Sequence, residues 1–165
     1  MTKEILLDAT HLRKVLAYDP ETGTFIWRSN GKVAGSRDFK GYWVIGITVG
    51  GRLFVYKAHR LAWFYMTGEW PYPSVDHIDR VKNNNKFINL RLANASQNGG
   101  NAGLRKDNTS GVKGVNWYKS SNKWVAKIAV KGKRLSLGYF DSIDDASAAY
   151  ERAAREHFGE FARMS

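Results

Sequence analysis

The sequence predicts an α+β chain of two units: an N-terminal α+β domain, then a small three-stranded antiparallel sheet packed on one helix. Three observations predict it. Short apolar runs with period-two alternation recur between Gly, Asn and Pro turn signals. Two stretches, near 58–66 and 143–158, instead repeat apolar or small residues at helical spacing. Between the halves lies "GNAGLRKDNTSG" (100–111), rich in Gly, Asn, Ser and Thr and without apolar periodicity. The expected division is 1–101, a linker at 102–110, and 111–165.

In chain order, "ATHLRKVLA" reads as a short helix over about 10–17, followed by a turn at Asp19-Pro20-Glu21-Thr22-Gly23 and a strand carrying Phe25 and Trp27. "GYWVIGITVGGRLFVYK" reads as two strands joined at Gly50-Gly51, a dipeptide that favours tight hairpins. A helix from Ala58 to about Met66 follows, and "GEWPYP" ends it, because proline has no amide hydrogen to continue the ladder. "SVDHI" and "NLRLA" read as short strands around the polar loop "DRVKNNNKF", and "NASQNGGN" reads as a helical turn or more with Asn94 as its N-cap. Beyond the linker come three strand-like runs and one amphipathic helix. Ser142 is its expected N-cap, Asp144 and Asp145 complement its dipole, Ala146, Ala149, Tyr150, Ala153 and Ala154 form its small-residue face, and Gly159 lies past its end.

The chain has 165 residues, 43% of them hydrophobic, which is enough for a real core. It has no cysteine, so disulfide frameworks and thiolate zinc sites are excluded, and a reducing cytoplasm, bacterial or phage-infected, is the expected compartment rather than secretion. "MTKEILLDATHLRKVL" carries closely spaced charges, so neither a signal peptide nor a membrane span is read there. A net charge of +11 points to a polyanionic partner, with nucleic acid ahead of a membrane surface. The charge is unevenly spread. Between 105 and 134 the sole acid, Asp107, faces Arg105, Lys106, Lys113, Lys119, Lys123, Lys127, Lys131, Lys133 and Arg134, whereas 135–165 is acidic.

"VDHIDRVKNNNKFINLRLANASQN" (75–98) concentrates groups suited to phosphate chemistry. Phosphodiester hydrolysis needs a base for the attacking water and a cation to stabilise charge on the phosphorane and the leaving oxygen. Asp76 is a hard carboxylate beside His77, whose imidazole titrates near neutrality. Asn98 returns from the following helix with an amide oxygen, and Asn89 can hold the loop through its side-chain amide. Asp and Asn oxygens with water suit magnesium or manganese better than zinc. Residue types alone leave two readings open, a solvated polar loop or a metal-assisted site.

The order and spacing of Asp-His-Ile-Asp, Asn-Asn, Asn-Leu-Arg and Ser-x-Asn resemble the HNH endonuclease motif, of the ββα-metal fold, in phage and intron-associated homing enzymes. "YDPETGTFIW" and "AHRLAWFYMTGEWP" resemble segments that precede it there, so the likeness spans about 10–101. The resemblance implies His77 as general base, Asp76 and Asn98 as ligands of one divalent ion (magnesium or manganese), and Asn89 as the structural middle asparagine. Asn98 stands where other branches carry a closing histidine. His59 and Arg60 are read as phosphate contacts or supports of the site, or as ordinary helix residues, and Arg91 joins the expected DNA contacts. His11 and His157 are read as helix residues without a chemical role.

In the basic segment Lys113, Trp117, Lys119, Lys123, Trp124, Lys127, Lys131 and Arg134 interleave cation with aromatic, as suits a sheet laid in a major groove. Trp124, next to Val125 and near Ile128, is expected in the core or half within it rather than on a base. The Gly-Val, Lys-Trp-x-Ala-x-Ile, Leu-Gly-x-Phe and Ala-x-x-Ala-Tyr-x-x-Ala elements of 111–162 resemble the DNA-binding domain of plant ethylene-response and apetala-type factors. Ala129 stands where arginine is common in that family, so a plant-like target site is not implied. The combined expectation is a metal-dependent DNA endonuclease of the homing type. It acts as a monomer on double-stranded DNA, without a membrane or small-molecule cofactor. The competing expectations are a DNA-binding regulator with an inactive nuclease domain, and a basic RNA- or ribosome-associated protein.

Overall fold

The computed structural model describes residues 7–164; the first six residues of "MTKEILLDATHLRKVL", read above for a signal peptide or membrane span, lie outside the described residues. The chain forms two compact units, Met1–Ala93 and Asn94–Ser165. Among the described residues no helix is long and apolar enough to cross a membrane.

In the first unit, helix α1 (Ala9–Val15) is capped by Asp8, whose carboxylate accepts from the His11 amide. The helix stops two residues earlier than its sequence suggests. Leu16 and Ala17 leave it to open strand β1 (Leu16–Asp19), because their amides and carbonyls pair with β2 (Thr24–Trp27) in the register Leu16↔Trp27 to Asp19↔Thr24. Sheet pairing here outweighs the helical propensity of Leu and Ala. A second sheet orders β3 (Ser36–Arg37), β4 (Trp43–Val49) and β5 (Arg52–Lys57) antiparallel. Gly50 and Gly51 turn between β4 and β5 with φ of 56° and 76°, both in the left-handed region that a primed turn demands.

Helix α2 (Ala58–Thr67) buries Ala58, His59, Leu61, Ala62 and Phe64 and ends at Gly68. Together with Leu12, Leu16, Phe25, Ile45, Ile47 and Tyr56, its Ala58, Leu61, Ala62 and Phe64 close one apolar core. Each such aliphatic or aromatic side chain removed from water contributes about 1.5–3 kcal/mol. A final hairpin, β6 (Val75–His77) and β7 (Leu90–Leu92), lays Val75 and Leu90 on the core.

The loop between β6 and β7 is moored to the first hairpin. Tyr18, stacked on Phe25 at 4.6 Å, donates its buried hydroxyl to the Asn85 carbonyl at 2.6 Å. The Phe87 amide donates to the Pro20 carbonyl at 3.0 Å. Gly23 (φ 74°) lies so close beneath that a Cβ there would meet the backbone of Asn85 and Lys86 at 2.4 Å.

The second unit opens with α3 (Ala95–Asn101), whose start is fixed by a capping box between Asn94 and Gln97. Strands β8 (Val115–Tyr118), β9 (Lys123–Val130) and β10 (Lys133–Phe140) form an antiparallel meander with β9 in the centre. Helix α4 (Ile143–Phe158) is capped by Ser142, and its buried Ala146, Ala149, Tyr150, Ala153 and Ala154 cover the sheet. Segment 102–110 has no regular structure, yet its end is tied down: the Ser110 hydroxyl donates to the Val115 carbonyl at 2.7 Å.

Replacing Gly23 with Ala tests the mooring. The positive φ alone costs about 1–2 kcal/mol with a Cβ present, and the collision with the 85–86 backbone adds to it. Urea denaturation of Gly23→Ala is expected to show a loss of at least that size; wild-type stability would mean that the loop does not rest on the turn.

Candidate active site and candidate nucleic-acid interface

Alternation along β6 sends His77 inward, only 5% exposed, and leaves Asp76 half-buried on the other side. Asp76 lies opposite Arg91 in the hairpin register, and their side chains meet at 3.2 Å. His77 Nε2 lies 3.2 Å from Asn85 Oδ1 in a buried contact. The orientation of that amide is set from its far end, because Asn85 Nδ2 donates to the Asn83 carbonyl. Asn85 Oδ1 can only accept, so the Nε2 proton belongs to this bond and Nδ1 becomes the basic nitrogen. Burial holds the His77 pKa below its usual value, against the opposite pull of Asn85, Asp79 and Asp76 and with the help of Lys57. A neutral imidazole near pH 7 is the form a general base needs.

Asn89 latches the loop by every group it has. Its carbonyl accepts from the Ile78 amide, and its Oδ1 accepts from the Asp79 amide at 3.0 Å. Its Nδ2 donates to Asp79 Oδ1 at 2.9 Å and to the Asn84 carbonyl at 2.8 Å. Burial alone would raise the Asp79 carboxyl; the bonds it accepts from Asn84, Val81 and Asn89 outweigh that and lower it. Asn89 therefore shapes the loop, and Asn85 is the residue that touches His77. Sequence reasoning placed Asn85 among loop asparagines; "NNN" carries no local signal for which of the three meets the imidazole.

Two further residues wall the base: His59, for which support of the site was one of the readings from sequence, and Tyr42, which sequence reasoning did not single out. The His59 ring meets that of His77 edge-on at 4.8 Å, and Tyr42 stands 5.4 Å from His59 and 6.3 Å from His77. His59 is 4% exposed, and its Nδ1 has no hydrogen-bond partner among the described residues. Arg60, on the same helix, lies 6.0 Å from the Trp70 ring.

Among the described residues no three His, Cys, Asp or Glu side chains are grouped as a metal cage. A hard carboxylate oxygen such as that of Asp76 suits magnesium-class ions, which complete their shells with water and phosphate oxygens. Asn98 rides on α3, in the second unit.

In the sheet of the second unit Lys127, Ala129 and Arg134 share one face, away from the buried Ala126 and Ile128. Alternation adds Asn116, Tyr118 and Tyr139 to that face, and the two tyrosine rings lie 5.7 Å apart. Trp117 falls on the opposite face with half-buried Trp124, their rings 5.1 Å apart. Lys119 and Lys131 occupy exposed turns. Lys123 pairs with Asp141 at 2.8 Å. Lys113 Nζ donates to the carbonyls of Gly99, Gly100 and Ala102, where a cation complements the end of α3.

His59 gives the fold a pH dependence. Burial lowers its pKa to about 3, helped by the positive charges of His77, Lys57 and Arg60. The unfolded chain takes up this proton near the ordinary pKa of about 6.5, before the folded one does, so stability falls as the pH drops from there towards 3. The expected slope is at most about 1.4 kcal/mol per pH unit. His59→Phe is expected to flatten denaturation midpoints over that window; an unchanged slope would contradict the assignment.

Comparison with known proteins agrees with this geometry. A family model for HNH endonuclease matches residues 56–99, and one for the AP2 domain matches 110–160. Protein 3.8 of Escherichia phage T7 is 37% identical over 90 residues, 54% of this chain and 74% of that protein. An uncharacterized HNH endonuclease, L560 of Acanthamoeba polyphaga mimivirus, is 39% identical over 88 residues, 53% of this chain but 44% of its own length. The HNH homing endonuclease I-HmuI, solved in a study of its DNA binding and cleavage, shares the fold with a TM-score of 0.50 at 21% identity, over 93% of this chain and 82% of that one. With the phage relative matched over most of its length, and the HNH model lying on the hairpin, loop and helix that carry Asp76, His77, Asn89 and Asn98, the chain belongs to the HNH endonuclease family and carries an AP2 domain.

Proposed function

We propose that the chain is a homing-type endonuclease that hydrolyses one phosphodiester bond of double-stranded DNA per active site, with its basic C-terminal domain holding the duplex. The observation that carries this reading is the buried His77, its Nε2 tied to Asn85 Oδ1, next in sequence to the Asp76 carboxylate. His77 Nδ1 takes the proton of the attacking water. Asn85 holds the ring while charge develops on it, and Asn89 keeps the loop in register. Asp76 and Asn98 would hold one magnesium or manganese ion, which when bound neutralises the scissile phosphate and the departing 3′-oxygen. As a functional unit the nuclease domain then runs to about residue 101, 102–110 links the domains, and 111–165 binds DNA.

Arg91, 3.2 Å from Asp76, holds that carboxylate in place across the hairpin in the absence of an ion, and meets the phosphate backbone when one binds. On the sheet of the second unit Lys127 and Arg134, with Lys119 and Lys131 in its turns, supply the positive surface; counterion release makes such binding steeply salt-dependent. Lys123 lies at the edge of that face, paired with Asp141, and Trp117 backs it from the opposite face; Lys113 supports the fold of the second unit, and Arg60, beside Trp70, that of the first. A monomer has one such site, so nicking is the default outcome. The match to a phage T7 protein supports a place in the cytoplasm of an infected bacterium.

Supercoiled plasmid incubated with magnesium or manganese tests the reading. Wild-type protein is expected to produce open circles, chelator to abolish them, and His77→Ala to slow them by at least the 10²–10⁴-fold that general-base catalysis contributes. His77→Ala should still retard duplex DNA in gels, and Lys127→Ala with Arg134→Ala should weaken that retardation. Equal, chelator-resistant nicking by wild type and His77→Ala would overturn the active site. Retardation without any nicking would favour a DNA-binding regulator.

A further inference from the structure

Two lysines from different elements converge on one ring beside the base. Tyr42 precedes β4, and its ring borders both buried imidazoles. Lys57, the last residue of β5, places Nζ 4.1 Å from the Tyr42 centroid. Lys82, from the loop between β6 and β7, places its own Nζ 5.0 Å from the same centroid. Lys82 Nζ is fixed a second time, donating to the Lys40 carbonyl at 2.9 Å. Both lysines are exposed, so an approaching anion can reach them.

An exposed lysine normally samples many rotamers, and ordering it costs up to about 2 kcal/mol of entropy. Here the ring's π-system holds both ammonium groups by cation–π attraction, worth about 0.5–1 kcal/mol each at an exposed position. That leaves two like charges ordered around one ring. Their mutual repulsion falls when a counter-anion sits with both, so the pair is preorganised for an oxyanion. The location selects the anion: Tyr42 is 6.3 Å from His77, and the charge of Lys57 is felt by both His77 and His59.

We infer that Lys57 and Lys82, held on Tyr42, form a binding site for a backbone phosphate of the DNA strand that His77 addresses; this rests on the DNA-cleavage reading above. The site draws residues from three segments outside the metal and base positions, and it makes Tyr42 a positioning residue. The phenol ring, not its hydroxyl, carries the effect.

Duplex binding by the full-length protein tests this, measured by fluorescence anisotropy in chelator over a series of salt concentrations. The Lys57→Ala, Lys82→Ala double variant should melt like wild type. Its log affinity should fall with log salt less steeply, by about 1 in slope, the signature of one lost phosphate contact. Tyr42→Phe should match wild type and Tyr42→Leu should lose at least half of that slope difference, since only the former keeps the ring. In nicking assays the double variant should raise KM while kcat changes little. A double variant with wild-type slope and KM would overturn the site. So would Tyr42→Phe behaving like Tyr42→Leu, because the hydroxyl would then be the active part. A wild-type chain that binds no duplex at any salt would instead overturn the DNA reading itself, and the site with it.

Discussion

The seat of the 78–86 loop on the N-terminal hairpin is the contact on which the rest of the first unit's chemistry depends. A polar loop rich in asparagine has no hydrophobic reason to adopt one shape. It acquires one because the Tyr18 hydroxyl, buried in the core, reaches the Asn85 carbonyl, and because the 85–86 backbone lies directly on Gly23. Leaving that buried hydroxyl without its acceptor would cost about 1–3 kcal/mol, so the core itself resists displacement of the loop. Burial also holds the Tyr18 pKa above its ordinary value, which keeps the hydroxyl a donor. The amide of Asn85 then does for His77 what the backbone does for the loop: it fixes one proton in one place.

Around that anchor the polar groups satisfy one another. Asn89, Asp79 and Asn84 close a network in which each carboxylate or carbonyl oxygen meets an N–H. Such networks hold a shape when complete and are costly when half made. Asp76 stands outside it, paired with Arg91 across the hairpin. The carboxylate suited to a cation is thus held in an ion pair, while burial lowers the pKa of the imidazole suited to a proton. Two adjacent residues on one short strand obtain opposite environments from the strand's alternation alone.

Local rules carried much of the fold into the sequence. The Asn94 and Ser142 caps, the Gly50-Gly51 turn and the small-residue face of the last helix depend on neighbours a few residues away, and the structure has them where the sequence puts them. What was illegible depends on distant partners. The first helix ends at Val15 because residues 24–27 offer a strand to pair with. Asn85 differs from Asn83 and Asn84 only through the Tyr18 and His77 contacts. Lys113, one of nine cations in a basic run, returns to the carbonyls of α3, and no local pattern announces that. Spacing singled out Asp76, His77, Asn89 and Asn98 as candidates, whereas the approach of Tyr42 to both imidazoles was not legible, because it joins separate elements.

Nitrogen-15 NMR of histidine-labelled protein tests the central claim most directly, by reading the tautomer of His77 near neutral pH. The expected result is a neutral ring protonated at Nε2, held as a single species, and lost to a mixture of tautomers in Asn85→Ala. A ring protonated at Nδ1 in the wild type, or a tautomer indifferent to Asn85, would contradict it.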